Sequence, residues 1–154
     1  MVNDKIRGVA LIVYDPDDNI LILQEYESKP HIGKYSGMFS VPMETSEPDE
    51  LDFHAIVRLV VEELQGFDIL ITDTLLLRIG SYQIVPDVWV NLYSIETVNN
   101  HLPDFNPKNK EVGNYRWMRP EEALLLWLRQ GAREMISDFL NNKKGVLCES
   151  CRAP

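Results

Sequence analysis

Cysteine and long apolar runs are both scarce in this sequence, and each scarcity excludes a class of protein. With two cysteines in 154 residues, a small secreted domain held together by several disulfides is excluded. The longest apolar runs, 9–14 and 123–128, are far shorter than the roughly 18 residues that a membrane span needs. Residues 1–8 carry charges of both signs, unlike a cleavable leader. We therefore expect a cytoplasmic protein without a membrane partner.

Basic residues are also few. The chain has 15 Lys and Arg against 24 Asp and Glu, which gives a net charge of -9. The basic residues are scattered and form no stripe, so the surface would repel DNA or RNA. We expect no nucleic-acid polymer as a partner, and we expect any phosphate chemistry to depend on metal ions.

What the sequence does contain is typical of one soluble globular domain. Apolar residues make up 45% of the chain and charged residues 25%, at a length that allows one core. Strand-like runs alternate with helical stretches. The predicted strands are 7–14, 20–24, 38–42, 69–79, 87–95 and 115–118. The predicted helices are 52–64, a helix from 120 to 128, and 133–140 after a break at Gly131.

This order of elements predicts an α/β (α+β) fold, in which a mixed sheet lies between helices as an α-β-α sandwich. The first strand is apolar on both alternating faces, which indicates a sheet covered on both sides. We assign residues 1–140 to a single domain and 141–154 to a C-terminal tail. The tail carries Cys148 and Cys151, a lone pair that lacks the further ligands of a structural zinc site.

The helix predicted at 52–64 carries the most informative polar residues. Its apolar stripe consists of Phe53, Ile56, Val57, Val60, Val61 and Leu64. Arg58, Glu62 and Glu63 share the opposite face. An ordinary solvated helix face would explain them, except that Leu59 is predicted to lie among them on this polar face.

The chain around this helix resembles the Nudix box, the pattern G-x5-E-x7-R-E-U-x-E-E-x-G-U in which U is aliphatic. Glu50, Arg58, Glu62 and Glu63 stand at the required spacing. Three positions depart from the pattern, with Glu44 for the first Gly, Leu59 for the Glu after Arg, and Gln65 for the closing Gly. The likeness extends over residues 6–140 and implies the Nudix fold.

The resemblance implies a hydrolase that cleaves a pyrophosphate linkage in a small nucleoside-diphosphate-type substrate with Mg²⁺ or Mn²⁺. The implied metal ligands are Glu62, Glu63, Glu50, Glu111 and the backbone carbonyl of Met43. Arg58 would orient the carboxylates. The implied catalytic residues are Glu62, Glu63 and Arg58, with Glu111 as a candidate general base.

Leu59 leaves two interpretations open, because leucine can neither bind metal nor accept a proton. Either the base comes from elsewhere, with Glu111, Asp104 or Glu44 as candidates, or the protein is a catalytically impaired Nudix-fold module that only binds or regulates. Lys29 and Lys34 lie in the loop 26–37 and are weak candidates for contacts with substrate phosphates. A homodimer is also left open.

Overall fold

The computed structural model describes residues 5–64, 76–97 and 111–142. Seven strands lie within these ranges: β1 (Ile6–Tyr14), β2 (Ile20–Glu25), β3 (Phe39–Ser40), β4 (Met43–Thr45), β5 (Leu77–Val85), β6 (Val88–Glu96) and β7 (Val112–Met118). The helices are α1 (Asp52–Glu63), α2 (Pro120–Ala123) and α3 (Ala132–Asn142), with a short 3₁₀ helix at Pro30–Ile32.

The strands form one mixed sheet, which confirms the predicted fold class. β1 runs parallel to β6 from Ile6 to Tyr14, and the other strand pairs are antiparallel. All residues from Gly8 to Tyr14 are buried, because α1 covers one face of the sheet and α3 the other. The continuous apolar run of β1 is thus explained by burial on both faces.

β1 and β2 form the predicted hairpin but separate soon after the turn. Their only register pair is Tyr14 with Ile20, and the buried Asp15 closes the turn by accepting hydrogen bonds from the backbone amides of Asp17 and Asn19, both at 2.9 Å. Beyond the turn, β3 pairs with β2 and β4 pairs with β1. The segment 39–45 therefore crosses the gap between the two strands and brings β4 beside α1.

α1 has nearly the predicted bounds, but the prediction of which face is buried was wrong at two positions. Leu59 is fully buried against the sheet, whereas Val61 is 66% exposed. The buried stripe consists of Ala55, Ile56, Leu59 and Val60. Leu59 is therefore a core residue and does not lie on the polar face.

Other elements also differ from their predicted bounds. The strand predicted at 38–42 is two short strands, β3 and β4, and β7 begins at Val112 instead of 115. β5 begins at Leu77 and continues to Val85, beyond the predicted end at 79, and residues 69–75 lie outside the described ranges. The helix at Pro120 ends at Ala123 instead of 128, because the backbone beyond it pairs with β3. The Phe39 amide donates to the Trp127 carbonyl at 2.7 Å, and the Arg129 amide donates to the Phe39 carbonyl at 2.8 Å.

The break predicted at Gly131 separates this extended segment from α3. Gly131 has a φ of +90°, a conformation that favours glycine, and α3 begins at the next residue. Residues 143–154 lie outside the described ranges, so the boundary between domain and tail at 140 stays a prediction. In the ranges that the structure describes, no helix is long and apolar enough to cross a membrane.

Candidate metal and substrate site

The last turn of α1 carries the two glutamates of the proposed metal site, and the helix is held at both ends. At its start, Asp52 accepts hydrogen bonds from Asn91 Nδ2 at 2.8 Å and from the Tyr93 hydroxyl at 2.7 Å, both on β6. At its end, the Tyr115 hydroxyl on β7 donates to the backbone carbonyl of Glu63. Hydrogen bonds to two strands, β6 and β7, thus fix the two ends of α1.

Glu62 and Glu63 lie where negative charge is unfavourable. The C-terminal end of a helix is the negative end of its dipole, and α1 has no basic residue in its last turn. Burial raises the pKa of Glu63 well above its usual range, and the charges of Glu44 and Glu25 raise it further, while Lys34 opposes the shift. Glu63 Oε2 is buried and accepts no hydrogen bond from the described residues. A proton or a cation would relieve this arrangement.

Arg58 joins the helix to the strand β4 and the loop after it. Its Nη2 lies 2.8 Å from Glu50 Oε1 and its Nε 3.2 Å from Glu50 Oε2, so the pair is bidentate. Nη2 also donates to the Thr45 carbonyl at 2.8 Å, and Nη1 lies 3.4 Å from Glu44 Oε1. We call Arg58, Glu44, Glu50, Glu62 and Glu63 the Arg58 cluster.

The carboxylates of the Arg58 cluster differ in their proton affinity. The hydrogen bond from Arg58 and the backbone amide of Glu47 lower the pKa of Glu50. Burial raises the pKa of Glu44; the charge of Arg58 opposes this shift, and Glu62 adds to it. Arg58 thus interacts with three carboxyl groups, those of Glu44, Glu50 and Glu62.

A cleft opens beside the last turn of α1, between the start of β1, β4 and the loop 29–34. The open space between its walls, its mouth included, is about 500 Å³. Met43 lines it next to Glu44. Its charged lining residues are the basic Arg7, Lys29, Lys34 and Arg129 and the acidic Glu44, Glu63 and Glu111. The cleft therefore offers both carboxylates for a cation and cations for phosphates.

A second charged group, which we call the Glu25 cluster, supplies four further residues of the cleft lining. It consists of Glu25, Lys34, Arg129, Glu111 and Lys29. Glu25 lies 3.3 Å from Lys34 Nζ and 3.5 Å from Arg129 Nη1, and all three side chains are almost fully buried.

Glu111 is the outermost carboxylate of the Glu25 cluster. It lies 3.0 Å from Lys29 Nζ and 3.5 Å from Lys34 Nζ. Burial alone would raise the pKa of Glu111, but the hydrogen bond from Lys29 and the charge of Lys34 outweigh it and lower the pKa. Glu111 is therefore ionised at neutral pH.

The donor set at the end of α1 fits a hard divalent cation. Mg²⁺ and Mn²⁺ favour carboxylate and carbonyl oxygen, and Glu44, Glu62, Glu63 and the backbone of β4 offer both. The buried Glu63 Oε2 is a free acceptor among the described residues. Still, no group of three His, Cys, Asp or Glu in the described ranges is already arranged as a metal site.

The structure brings most of the predicted site residues together. Arg58, Glu50, Glu62 and Glu63 lie in one cluster, and Met43, Glu63, Glu111, Lys29 and Lys34 line one cleft. The two lysines face Glu111, which the sequence did not suggest. The candidate base Asp104 and the pair Cys148 and Cys151 lie outside the described residues.

Sequence reasoning missed Glu25, Arg129 and Arg7. Glu25 and Arg129 are separated by 104 residues, and neither stands in a recognisable motif. A charged residue that is buried in the fold has no distinctive pattern in the sequence. Arg129 follows the apolar Leu128 and stands two residues before Gly131, an arrangement that would suit an exposed helix end equally well.

Comparison with known structures agrees with this fold. A MutT protein from Methanosarcina mazei Go1 is similar over 93% of this chain and all of its own, with a TM-score of 0.68 and 20% identity. A NUDIX hydrolase from Nitrosomonas europaea is similar over 94% of both chains, with a TM-score of 0.68 and 18% identity.

A third similar structure contains a ligand. The NUDIX domain of Shewanella oneidensis NrtR, complexed with ADP ribose, covers 92% of this chain and 90% of its own, with a TM-score of 0.66 and 10% identity. No curated protein matches the sequence. The sequence model of the NUDIX domain matches residues 4–139, nearly the whole chain, and the chain therefore belongs to the NUDIX family.

Proposed function

We propose that this protein is a divalent-metal-dependent hydrolase of a pyrophosphate linkage in a small nucleoside-diphosphate-type substrate. The observation that carries the proposal is the cleft, whose lining combines carboxylates at the end of α1 and on β4 with the basic Lys29, Lys34 and Arg129. A bound Mg²⁺ or Mn²⁺ neutralises phosphate charge and lowers the pKa of a bound water.

The residues take the following roles in this proposal. Glu62 and Glu63 hold the metal, with Glu50, Glu111 and the Met43 carbonyl as further candidate ligands. Arg58 positions Glu50 and the end of β4, because it binds the Glu50 side chain and the Thr45 carbonyl together. Lys29 and Lys34 contact substrate phosphates.

Glu111 is the candidate base. Its carboxyl group is ionised and can accept a proton from the attacking water, although Lys29 and Lys34, which lower its pKa, make it a weaker base. One water is consumed as one phosphorus–oxygen bond of the diphosphate breaks.

The similar structures support the substrate class by their own ligands and activities. The NrtR domain binds ADP ribose, and a bifunctional Francisella tularensis enzyme of 15% identity combines NMN adenylyltransferase with ADP ribose pyrophosphatase. This chain spans 42% of that enzyme. A cytoplasmic location and a homodimer stay predictions.

The alternative is a Nudix-fold protein that binds its ligand without turnover. It is favoured by Leu59, which is fully buried and leaves α1 one carboxylate short of the box pattern. In this case the cleft binds a nucleotide-derived diphosphate, and its occupancy regulates another process.

One assay panel tests the two functions. Nucleotide sugars, ADP-ribose, dinucleoside polyphosphates and nucleoside triphosphates are incubated with the protein and Mg²⁺ or Mn²⁺, and hydrolysis and binding are measured separately. We expect hydrolysis that Glu62→Gln abolishes without unfolding the protein. The control is Glu121→Gln, which makes the same charge change on an exposed side chain of α2. Full activity of Glu62→Gln would contradict the proposal, and binding without hydrolysis by the wild type would favour the alternative.

A further inference from the structure

Two of the departures from the box pattern are related in space. Glu44 stands where the pattern has glycine and adds a carboxylate, while Leu59 stands where the pattern has glutamate and removes one. They lie on different elements: Glu44 is on β4, a strand of the sheet, and Leu59 is on α1, which packs against one face of the sheet.

The strand register determines which face Glu44 occupies. β4 pairs with β1 so that Glu44 stands opposite Val9, and side chains directly opposite in an antiparallel pair point to the same face. Val9 packs in the core cluster that contains Leu59 and the buried stripe of α1. The side chain of Glu44 is therefore on the α1 side of the sheet.

β4 is held closely in this position. A Cβ atom at Gly8 would lie only 2.6 Å from the Glu44 carbonyl oxygen, so only glycine on β1 allows the two backbones to approach this far. A slip of β4 by one residue would move Glu44 to the other face of the sheet. The close packing makes the place of the carboxylate specific.

The side chain of Glu44 lies within the Arg58 cluster. It is 19% exposed, lies 3.4 Å from Arg58 Nη1 and is close enough to Glu62 for the two charges to interact. It lines the cleft together with Glu63, whose buried Oε2 has no hydrogen-bond partner in the described part of the chain. Gathering a third carboxyl group beside Glu62 and Glu63 costs stability in the absence of a cation.

We propose that Glu44 is the third carboxylate ligand of the metal site, beside Glu62 and Glu63, in place of the carboxylate that Leu59 lacks. The inference rests on the proposed function, because it concerns the same metal. It explains both departures together: β4 brings in the carboxylate, and position 59 of α1 is free to pack in the core.

The test measures Mn²⁺ binding to the intact protein without substrate, by electron paramagnetic resonance of free Mn²⁺ or by calorimetry. We expect Glu44→Gln to weaken Mn²⁺ binding at least tenfold and to lower hydrolysis to a similar degree. Glu47→Gln is the matched control, because Glu47 lies exposed in the loop after β4 and its substitution makes the same charge change. This control should bind Mn²⁺ within twofold of the wild type.

A second variant covers the case in which Glu44→Gln does not fold. Glu44→Gly places the residue of the family pattern at this position and should show the same loss of Mn²⁺ affinity. Circular dichroism verifies that each variant is folded.

The outcomes separate this inference from the proposed function. If Glu63→Gln loses Mn²⁺ while folded Glu44→Gln or Glu44→Gly binds it like the wild type, Glu44 is not a ligand and the proposed function stands. If the wild type binds no Mn²⁺, both fail. Loss of Mn²⁺ affinity in both the Glu63 and Glu44 variants, but not in Glu47→Gln, supports the inference.

Discussion

The two charged clusters that supply residues to the cleft differ in burial and in charge balance. In the Glu25 cluster three basic side chains neutralise two carboxylates, and its centre is almost fully buried. In the Arg58 cluster there are four carboxyl groups and one arginine, which interacts with three of them, and the Arg58 side chain is 25% exposed. The second cluster therefore has an excess of negative charge that a cation would neutralise, and the first does not. Similar residue types thus give opposite charge balances in the two clusters.

The largest effect on stability is expected from breaking the buried cluster. Glu25→Gln leaves Arg129 without its carboxylate partner and Lys34 with only Glu111, and removal of one member of a buried ion pair costs about 3–5 kcal/mol. Urea unfolding measures the loss. The control Glu27→Gln changes the same charge on a half-exposed neighbour and should cost less than about 0.5 kcal/mol. A loss below about 1 kcal/mol in Glu25→Gln would show that the cluster is not structural.

Addition of metal should stabilise the protein through the other cluster. Mn²⁺ at 100 times its Kd is expected to raise the free energy of unfolding by about 2.7 kcal/mol, because it binds the folded state alone. Thermal unfolding with and without Mn²⁺ measures this gain. Glu25→Gln should retain the gain and Glu63→Gln should lose it. The opposite pattern would place the metal in the Glu25 cluster.

Removal of Arg58 should have a smaller effect on stability. Arg58→Met loses the bidentate pair with Glu50 and the bond to the Thr45 carbonyl, but the side chain is partly exposed, so we expect a loss of about 1–2 kcal/mol. Because the remaining carboxylates repel one another, 1 M NaCl should restore part of this stability. Urea unfolding at low and high salt tests both points. Arg119→Met, at a mostly exposed position, is the control and should show neither effect.

The smallest effect is expected at Lys29. The Lys29 side chain, which pairs with Glu111, is 33% exposed. Lys29→Ala should therefore change the free energy of unfolding by less than about 1 kcal/mol. In the proposed function the same change weakens substrate binding, which appears as a raised KM with an unchanged kcat. A loss of several kcal/mol would mean that the outer edge of the Glu25 cluster is as structural as its centre.

The sequence predicted best the elements whose structure depends on residues close together in the chain. The bounds of α1 and the two-sided burial of β1 follow from periodicity, and both were close to the structure. The helix after Pro120 was predicted too long because an apolar run cannot show that residues 127–129 pair with β3. The buried face of α1 was predicted wrongly because Leu59, Val60 and Val61 are consecutive apolar residues, and the sequence does not indicate which of them the sheet covers.

The site was partly predictable for a similar reason. The spacing of Glu50, Arg58, Glu62 and Glu63 lies within one short segment, where the sequence order reflects the structure directly. The Glu25 cluster depends on residues from β2, the loop 29–34, the start of β7 and the segment before α3. These residues become neighbours only through the pairing of strands in the sheet, which cannot be derived from a single sequence.

The anchoring of α1 at both ends has a consequence for dynamics. Since Asp52 is tied to β6 and the Glu63 carbonyl to β7, the helix cannot shift along its axis without breaking hydrogen bonds at one end or the other. If the last turn binds a cation, as proposed, we expect side-chain rotamers to change while the helix backbone stays in place. Amide hydrogen exchange along the middle of α1 should accordingly be slow whether the site is empty or filled, and the fast motions of the site should be confined to the carboxylates themselves.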